Sequence, residues 1–163
     1  NYVEHSLIRT EADEVTYNLH IILRFEIEKE LIEGAIEVKD LPKIWNDKMK
    51  EYFGLQAPND AIGVLQDVHW SGGSFGYFPT YTLGNLYSAQ FYNQAQKDIP
   101  DLEKKFAVGN FKPLVDWLRK NIHLHGKFYS ADELVKTVTG EKLNSKYFTD
   151  YLIKKYSDIY QLK

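Results

Sequence analysis

Residues 63–84 interrupt a sequence that otherwise follows the helical period, and this interruption limits the folds that the chain can adopt. Five of the chain's ten glycines lie in this stretch, together with the adjacent His69 and Trp70 and several other aromatic residues. Disordered segments are poor in aromatic residues, whereas long ordered loops between helices commonly carry function. We therefore predict one long irregular loop, rich in glycine and aromatic residues, at about residues 55–79, and we expect it to form the wall of a site.

On both sides of the loop, apolar residues recur at helical spacing, and helix start and stop signals separate the segments. Helices are predicted for residues 10–33, 40–54, 79 to the break at Ile99-Pro100, 101–108, 112–125, 130–139 and 144–160. The predicted fold class is all-α, a bundle-like single helical domain over residues 1–163.

The first predicted helix is expected to begin at Thr10. Asp13 follows this capping residue by three positions, and acidic residues are favoured at a helix N-terminus. The middle of the helix, residues 19–25, is apolar nearly all round, so we predict that it is buried on most faces. In the helix at residues 112–125, the side chains predicted to face inward are those of Leu114, Val115, Trp117, Leu118 and Ile122.

The composition excludes several classes of protein. The net charge of −3 provides no overall surface for nucleic acid, and no apolar run approaches the roughly 20 residues of a membrane span. Because the chain has no cysteine, it has no disulfide, thiolate metal site or cysteine nucleophile, and this fits a cytoplasmic location. The chain begins at Asn1 and its only methionine is Met49, so we expect it to be part of a longer protein.

The histidines outside the loop have simpler interpretations than metal binding. His123 and His125 are two positions apart and would face opposite sides of a helix, so a favourable interaction with the helix dipole is preferred to a metal site. His20 lies in the apolar middle of the first helix, where a hydrogen-bonded core histidine is favoured over a catalytic one.

Arg9 precedes an acidic helix start and has two interpretations. A local salt bridge to Asp13 or Glu14 is favoured by proximity in the sequence, although such a pair is weak when exposed. Alternatively, the guanidinium could clamp a carboxylate of a ligand, because its geometry suits bidentate binding.

Within the loop, Asp67 and His69 would point to one face if the backbone is extended. The carboxylate then either orients the imidazole or makes a local loop hydrogen bond, and the sequence favours neither. Trp70 is a candidate packing anchor. Tyr77 and Tyr81 flank Pro79, and a phenol in a cleft can donate to a developing oxyanion, although buried tyrosines more often belong to a core.

Three segments of the sequence resemble signatures of the carboxypeptidase Taq family of thermostable metallocarboxypeptidases. Residues 8–14 resemble its IRxxADE signature, residues 63–70 match its GxxQDxHW signature, and residues 76–84 resemble its GYFPTYxLG segment. The resemblance covers essentially the whole chain. It implies the C-terminal third of a longer, all-helical protein, usually a homodimer, with a deep groove that takes the C-terminus of a peptide substrate.

The resemblance also implies what this chain lacks. The H-E-x-x-H helix and the third, glutamate ligand of the family's metal lie upstream of the IRxxADE signature. The full-length protein is therefore expected to bind a divalent metal, zinc or cobalt, through residues that this chain does not contain. The chain alone is expected to be inactive.

The residues matched to the signatures are expected to complete the groove of a carboxypeptidase that releases C-terminal amino acids. The implied catalytic residues are His69, Tyr81 and Tyr77, and the implied substrate-binding residues are Arg9, Asp67, Gln66 and Trp70. By its place in the signature, Arg9 would pair with the terminal carboxylate of the substrate or hold the groove wall. The alternative function is a non-catalytic helical module for binding or dimerisation, derived from the same scaffold.

Overall fold

A computed structural model describes residues 1–162, and within them all regular secondary structure is helical. The seven α-helices are α1 (Tyr17–Ile32), α2 (Leu41–Phe53), α3 (Pro79–Asp98), α4 (Leu102–Ala107), α5 (Lys112–Asn121), α6 (Ala131–Thr139) and α7 (Lys146–Tyr160). The predicted all-α class is confirmed. The chain forms two compact units, Asn1–Leu83 and Gly84 onwards, and the boundary falls within α3.

The predicted start of the first helix is wrong. Arg9–Glu11 is a separate 3-10 turn, and α1 begins seven residues after Thr10, at Tyr17. The Asp13 carboxylate explains the delay, since it accepts hydrogen bonds from the backbone N–H groups of Val15 and Thr16 at 2.8 and 3.0 Å. An aspartate that bonds amides two and three positions ahead offers the backbone an alternative to the helix.

The core of the first unit lies between α1 and α2. Leu23 and Ile27, one helical turn apart on α1, pack against Trp45, Met49 and Phe53 of α2. The prediction that α1 is buried on most faces is only partly correct, because Ile22 and Phe25 remain 38% and 44% exposed. These two side chains line a shallow apolar groove with Pro79 and Leu83.

The long loop after α2 is observed where the sequence predicts it. Gly54 ends α2 in the left-handed conformation, with φ +69°, and only the 3-10 turn Asp60–Ile62 is regular before α3 begins at Pro79. The side chain of Phe78 and the half-buried Trp70 pack inward. The loop is therefore an ordered part of the first unit.

The second unit has its own core around Ala95, Leu102 and Trp117. The predicted capping box at Ser130 and Glu133 is present at the start of α6. Two details of the prediction for residues 112–125 are wrong. The α-helix ends at Asn121 and is followed by the 3-10 turn His123–His125, and Val115 is 52% exposed instead of facing inward. None of the helices described in residues 1–162 is both long enough and apolar enough to cross a membrane.

His20 is a core residue, but not in the way that its sequence predicts. Its ring is fully buried and stacks on Phe53 at 4.3 Å between ring centroids. Neither ring nitrogen has a hydrogen-bond partner among residues 1–162, so the predicted hydrogen bond is absent. Burial lowers the pKa of His20 to about 4, and the positive charges of Arg24 and Arg9 act in the same direction.

Because the His20 imidazole is buried in its neutral form, we expect the chain to be less stable in mild acid. The unfolded chain protonates His20 near pH 6.5, whereas the folded chain resists protonation down to pH about 4. The free energy of unfolding should therefore fall as the pH drops from 6.5 to 4, by about 3 kcal/mol. Urea denaturation of the 163-residue chain at a series of pH values measures this fall. In a His20→Leu variant the fall over that range should largely disappear, and an unchanged pH dependence would show that His20 is not its source.

Candidate functional site

A buried polar stripe on α1 faces the loop. His20, Arg24 and Glu28 follow each other at four-residue spacing, which places them on one side of a helix. Their exposed fractions are 0%, 0% and 4%. Charged residues are almost never so buried without partners. Arg24 Nη1 donates to the His20 carbonyl on the same helix at 2.8 Å, and the other partners of Arg24 and Glu28 come from the loop.

Asp67 is the centre of a buried ionic cluster. Its Oδ1 accepts from Arg9 Nη2 at 2.6 Å, and its Oδ2 accepts from Arg24 Nε at 2.6 Å. The Nη1 atom of Arg9 donates to the Tyr17 hydroxyl at 3.0 Å. The local salt bridge expected between Arg9 and Asp13 or Glu14 is therefore wrong, because the actual partner lies 58 positions along the chain.

Arg9, Arg24 and Asp67 together carry one excess positive charge, since two guanidinium groups face one carboxylate. The Glu28 carboxylate lies one helical turn from Arg24 and outside this cluster. Burial alone would raise the pKa of Asp67, but hydrogen bonds from Arg9 and the charge of Arg24 outweigh it and hold that pKa below its ordinary value. Burial lowers the pKa of Arg24 to about 10, and Asp67 opposes the shift. All three groups are thus charged at neutral pH.

Aromatic rings surround the two guanidinium groups. The Cζ atom of Arg24 lies 4.6 Å from the centre of the Trp45 ring and 5.6 Å from that of Phe78. Arg9 lies 5.0 Å from the centre of the Tyr81 ring. Such contacts stabilise buried cations, and they connect the ionic cluster directly to the aromatic part of the loop.

Gln66 holds the loop to the start of the chain. Its Oε1 accepts from the Arg9 N–H and from Arg24 Nη2, at 3.0 and 2.9 Å. Its Nε2 donates to the carbonyl oxygens of Leu7, Ile62 and Gly63. Every polar atom of this side chain is therefore engaged within the first unit.

His69 sits between the ionic cluster and three aromatic rings. Its Nε2 is 3.1 Å from the Tyr81 hydroxyl, and its ring stacks on Tyr77 at 5.8 Å and lies 4.4 Å from Phe78. Its Nδ1 is 3.9 Å from Asp67 Oδ1, which is too far for a hydrogen bond. The two side chains do approach each other, but Tyr81 rather than Asp67 makes the hydrogen bond to the imidazole.

Trp70 and Tyr77 differ in how much of each is available to a ligand. Trp70 is half-buried, donates from Nε1 to Glu28 at 2.7 Å and meets Trp45 edge to face, as expected of a packing anchor. Tyr77 is 50% exposed and meets Tyr81 edge to face at 5.5 Å. Among the aromatic residues around His69, Tyr77 thus offers the most open surface.

The described residues do not fit a metal site. No group of three or more histidine, cysteine, aspartate or glutamate side chains converges in residues 1–162 in a way that could hold a metal ion. What the arrangement does provide is a partly exposed set of hydrogen-bonding groups, His69, Tyr77 and Tyr81, beside a buried excess of positive charge. That combination suits a ligand that carries or develops negative charge.

Sequence reasoning missed two of the residues that build the site. Arg24 and Glu28 lie within the first predicted helix, and the sequence alone predicts no functional role for either. The available signal was their four-residue spacing on one face of a helix that is otherwise apolar there.

Comparison with known proteins places this arrangement in a class. Residues 1–156 match the family described as carboxypeptidase Taq (M32) metallopeptidase, and the chain belongs to that family. The predicted resemblance is thereby confirmed.

Similar proteins include carboxypeptidases of bacteria. The chain is 51% identical over 160 residues to thermostable carboxypeptidase 1 of Thermus thermophilus, covering 98% of this chain and 31% of that protein. It is 47% identical over 162 residues to carboxypeptidase 1 of Bacillus subtilis, covering 99% and 32%. The crystal structure of the M32 carboxypeptidase from Deinococcus radiodurans R1 superposes with a TM-score of 0.95 at 45% identity, covering 98% of this chain and 32% of that one. The chain thus spans about a third of the length of the curated relatives it matches.

Proposed function

We propose that this chain is the substrate-binding, C-terminal part of a metal-dependent carboxypeptidase that releases C-terminal amino acids from peptides. The observation that carries the proposal is the pairing of His69 with Tyr81 beside a buried cluster of excess positive charge. The names of the similar proteins support the reaction class. A homodimer of the full-length protein belongs to the same proposal.

The ionic cluster would attract the substrate's terminal carboxylate. Arg9 is only 7% exposed, and its Nε, Nη1 and Nη2 atoms already donate to Asp67 and Tyr17. We therefore assign it to the groove wall, where it acts on the substrate through its charge and not by a bidentate clamp. Opposite charges attract more strongly near a buried cluster than in water, so one uncompensated charge favours peptides with a free C-terminus.

Tyr81 is the proposed donor to the oxyanion that forms when the scissile carbonyl is attacked. The Asp67 carboxylate, 3.9 Å from His69 Nδ1, favours the tautomer whose proton is on that nitrogen. Nε2 then accepts a hydrogen bond from the Tyr81 hydroxyl, whose oxygen lies 3.1 Å away, and this bond keeps the hydroxyl oriented. As negative charge develops on the substrate, rotation about the C–O bond redirects that proton to it. Tyr77, which is half exposed, is the second candidate donor, to the oxyanion or to the terminal carboxylate.

Gln66 and Trp70 complete the set of proposed binding residues. They would support the site by holding the loop in place, and not by direct polar contacts with the substrate. Gln66 joins the loop to Arg9 and Arg24, and Trp70 packs the loop on the core. The metal belongs to the full-length protein in this proposal, as zinc or cobalt held by ligands outside the described residues.

The coding sequence upstream of Asn1 distinguishes this enzyme from a non-catalytic helical module. For the enzyme, the reading frame should continue upstream and contain an H-E-x-x-H motif, whose two histidines lie on one helix face as metal ligands. An in-frame start codon directly before Asn1 would leave the chain without metal ligands and would favour the binding or dimerisation module.

A further inference from the structure

Glu28 is buried, and both of its carboxylate oxygens accept hydrogen bonds from the loop. Its Oε2 accepts from Trp70 Nε1 at 2.7 Å, and its Oε1 accepts from the backbone N–H of Gly76. Within residues 1–162, no lysine, arginine or histidine lies close enough to form an ion pair with it. Burying a carboxylate without a cation is unfavourable. An apolar residue at this position would therefore stabilise the core more than Glu28 does, unless the two hydrogen bonds to the loop have a role of their own.

The two donors bracket the glycine-rich turn. Trp70 directly follows His69, and Gly76 directly precedes Tyr77. The residues between them, 71–75, are exposed and form a tight turn in which the Ser74 N–H donates to the His69 carbonyl at 2.8 Å. Gly76 has φ +77°, a conformation that L-residues rarely adopt.

We infer that Glu28 is a positioning residue for the His69–Tyr77 pair. One carboxylate fixes the residue after His69 and the residue before Tyr77, and so sets the distance at which the two rings stack, 5.8 Å between centroids. The five residues of the turn are exposed, and their hydrogen bonds run to carbonyl oxygens of residues 68–73 in the same loop. The Glu28 carboxylate joins the two ends of this turn to α1. The expected effect on kcat rests on the proposed function. The anchoring of the turn by Glu28 does not depend on the proposed function.

The test is Glu28→Gln in the full-length protein that contains this chain. Glutamine has one acceptor oxygen and one NH₂ group, so one loop donor loses its acceptor and faces another donor. We expect kcat for a peptide substrate to fall by at least about tenfold, because small displacements of catalytic groups reduce rates by up to about 100-fold. KM should change much less. Glu33→Gln is the matched control on the end of the same helix, since the Glu33 side chain is 54% exposed, and it should retain the parent kcat.

A second measurement detects the anchoring without activity. Hydrogen–deuterium exchange followed by mass spectrometry should show faster exchange of peptides covering residues 70–77 in Glu28→Gln, with exchange in α5 unchanged. Trp70→Phe, which removes only one of the two donors, should produce a smaller effect in the same direction and remains informative if Glu28→Gln does not fold.

The outcomes separate the inference from the proposed function. Unchanged exchange in residues 70–77 of the variants overturns the anchoring by Glu28, whatever the activity. Faster exchange with an unchanged kcat overturns the positioning role. If the variants exchange faster but the parent protein has no carboxypeptidase activity, the anchoring by Glu28 is supported and the proposed function is refuted.

Discussion

Asp67→Asn is expected to destabilise the first unit by about 3–5 kcal/mol, the typical effect of removing one partner from a buried ion pair. Arg24 is fully buried and Arg9 is 7% exposed, so neither guanidinium can regain a hydration shell when its counter-charge is removed. The asparagine keeps the shape of the side chain but places an NH₂ donor against two other donors. Urea denaturation of the 163-residue chain at pH 7, followed by tryptophan fluorescence, measures the change.

A control for this experiment is available on α2. Asp47 pairs with Lys43 at 2.6 Å, and its side chain is 61% exposed, so Asp47→Asn should change the free energy of unfolding by no more than about 0.5 kcal/mol. Combining Asp67→Asn with Arg24→Met should recover part of the loss, because it removes one uncompensated charge. A loss of less than about 1 kcal/mol for Asp67→Asn alone would mean that the ionic cluster does not hold the loop in place.

Tyr81→Phe is expected to reduce kcat of the full-length protein by about 10²–10³, the usual effect of losing one oxyanion donor. The phenyl ring keeps the edge-to-face contact with Tyr77 and the contact with Arg9, so the substitution removes only the hydroxyl that is bonded to His69. KM should change little, because the interaction develops mainly in the transition state. Steady-state kinetics on a peptide with a free C-terminus provide both constants.

Tyr87→Phe is the matched control for Tyr81→Phe. Tyr87 also lies on α3, and its hydroxyl bonds to Asp132 in an exposed position of the second unit. The kcat of the Tyr87→Phe variant should equal that of the parent protein. If Tyr81→Phe keeps kcat within a factor of about two, the donor role of Tyr81 is rejected.

The helices and the loop were largely predictable because their signals are local. Gly54 and the Ser130–Glu133 capping box end and begin helices through contacts within a few residues, and such contacts can be recognised in the sequence. The error at Thr10 is of the same local kind. Thr10 and Asp13, three positions apart, both offer side-chain oxygens to nearby backbone amides. The Asp13 carboxylate takes the amides of Val15 and Thr16, which a helix beginning at Thr10 would need.

The site was less predictable because its contacts are long-range. Arg9 has acidic neighbours in the sequence, yet its partner Asp67 is 58 positions away. Propensity and periodicity do not pair residues so far apart. The resemblance to a known family points to the loop as the proposed site, but it does not reveal that Arg24 and Glu28 contact it.

The central claim is that this chain supplies the substrate side of a carboxypeptidase, and one pair of assays tests it most directly. The full-length protein, supplied with zinc or cobalt, is incubated with two peptides that differ only in a free or an amidated C-terminus, and the released amino acids are quantified. Our account predicts release of the C-terminal residue from the free-acid peptide and at least about 100-fold slower release from the amide, because the excess positive charge beside His69 and Tyr81 acts on a terminal carboxylate. Equal rates on the two peptides, or no release from either, would contradict it.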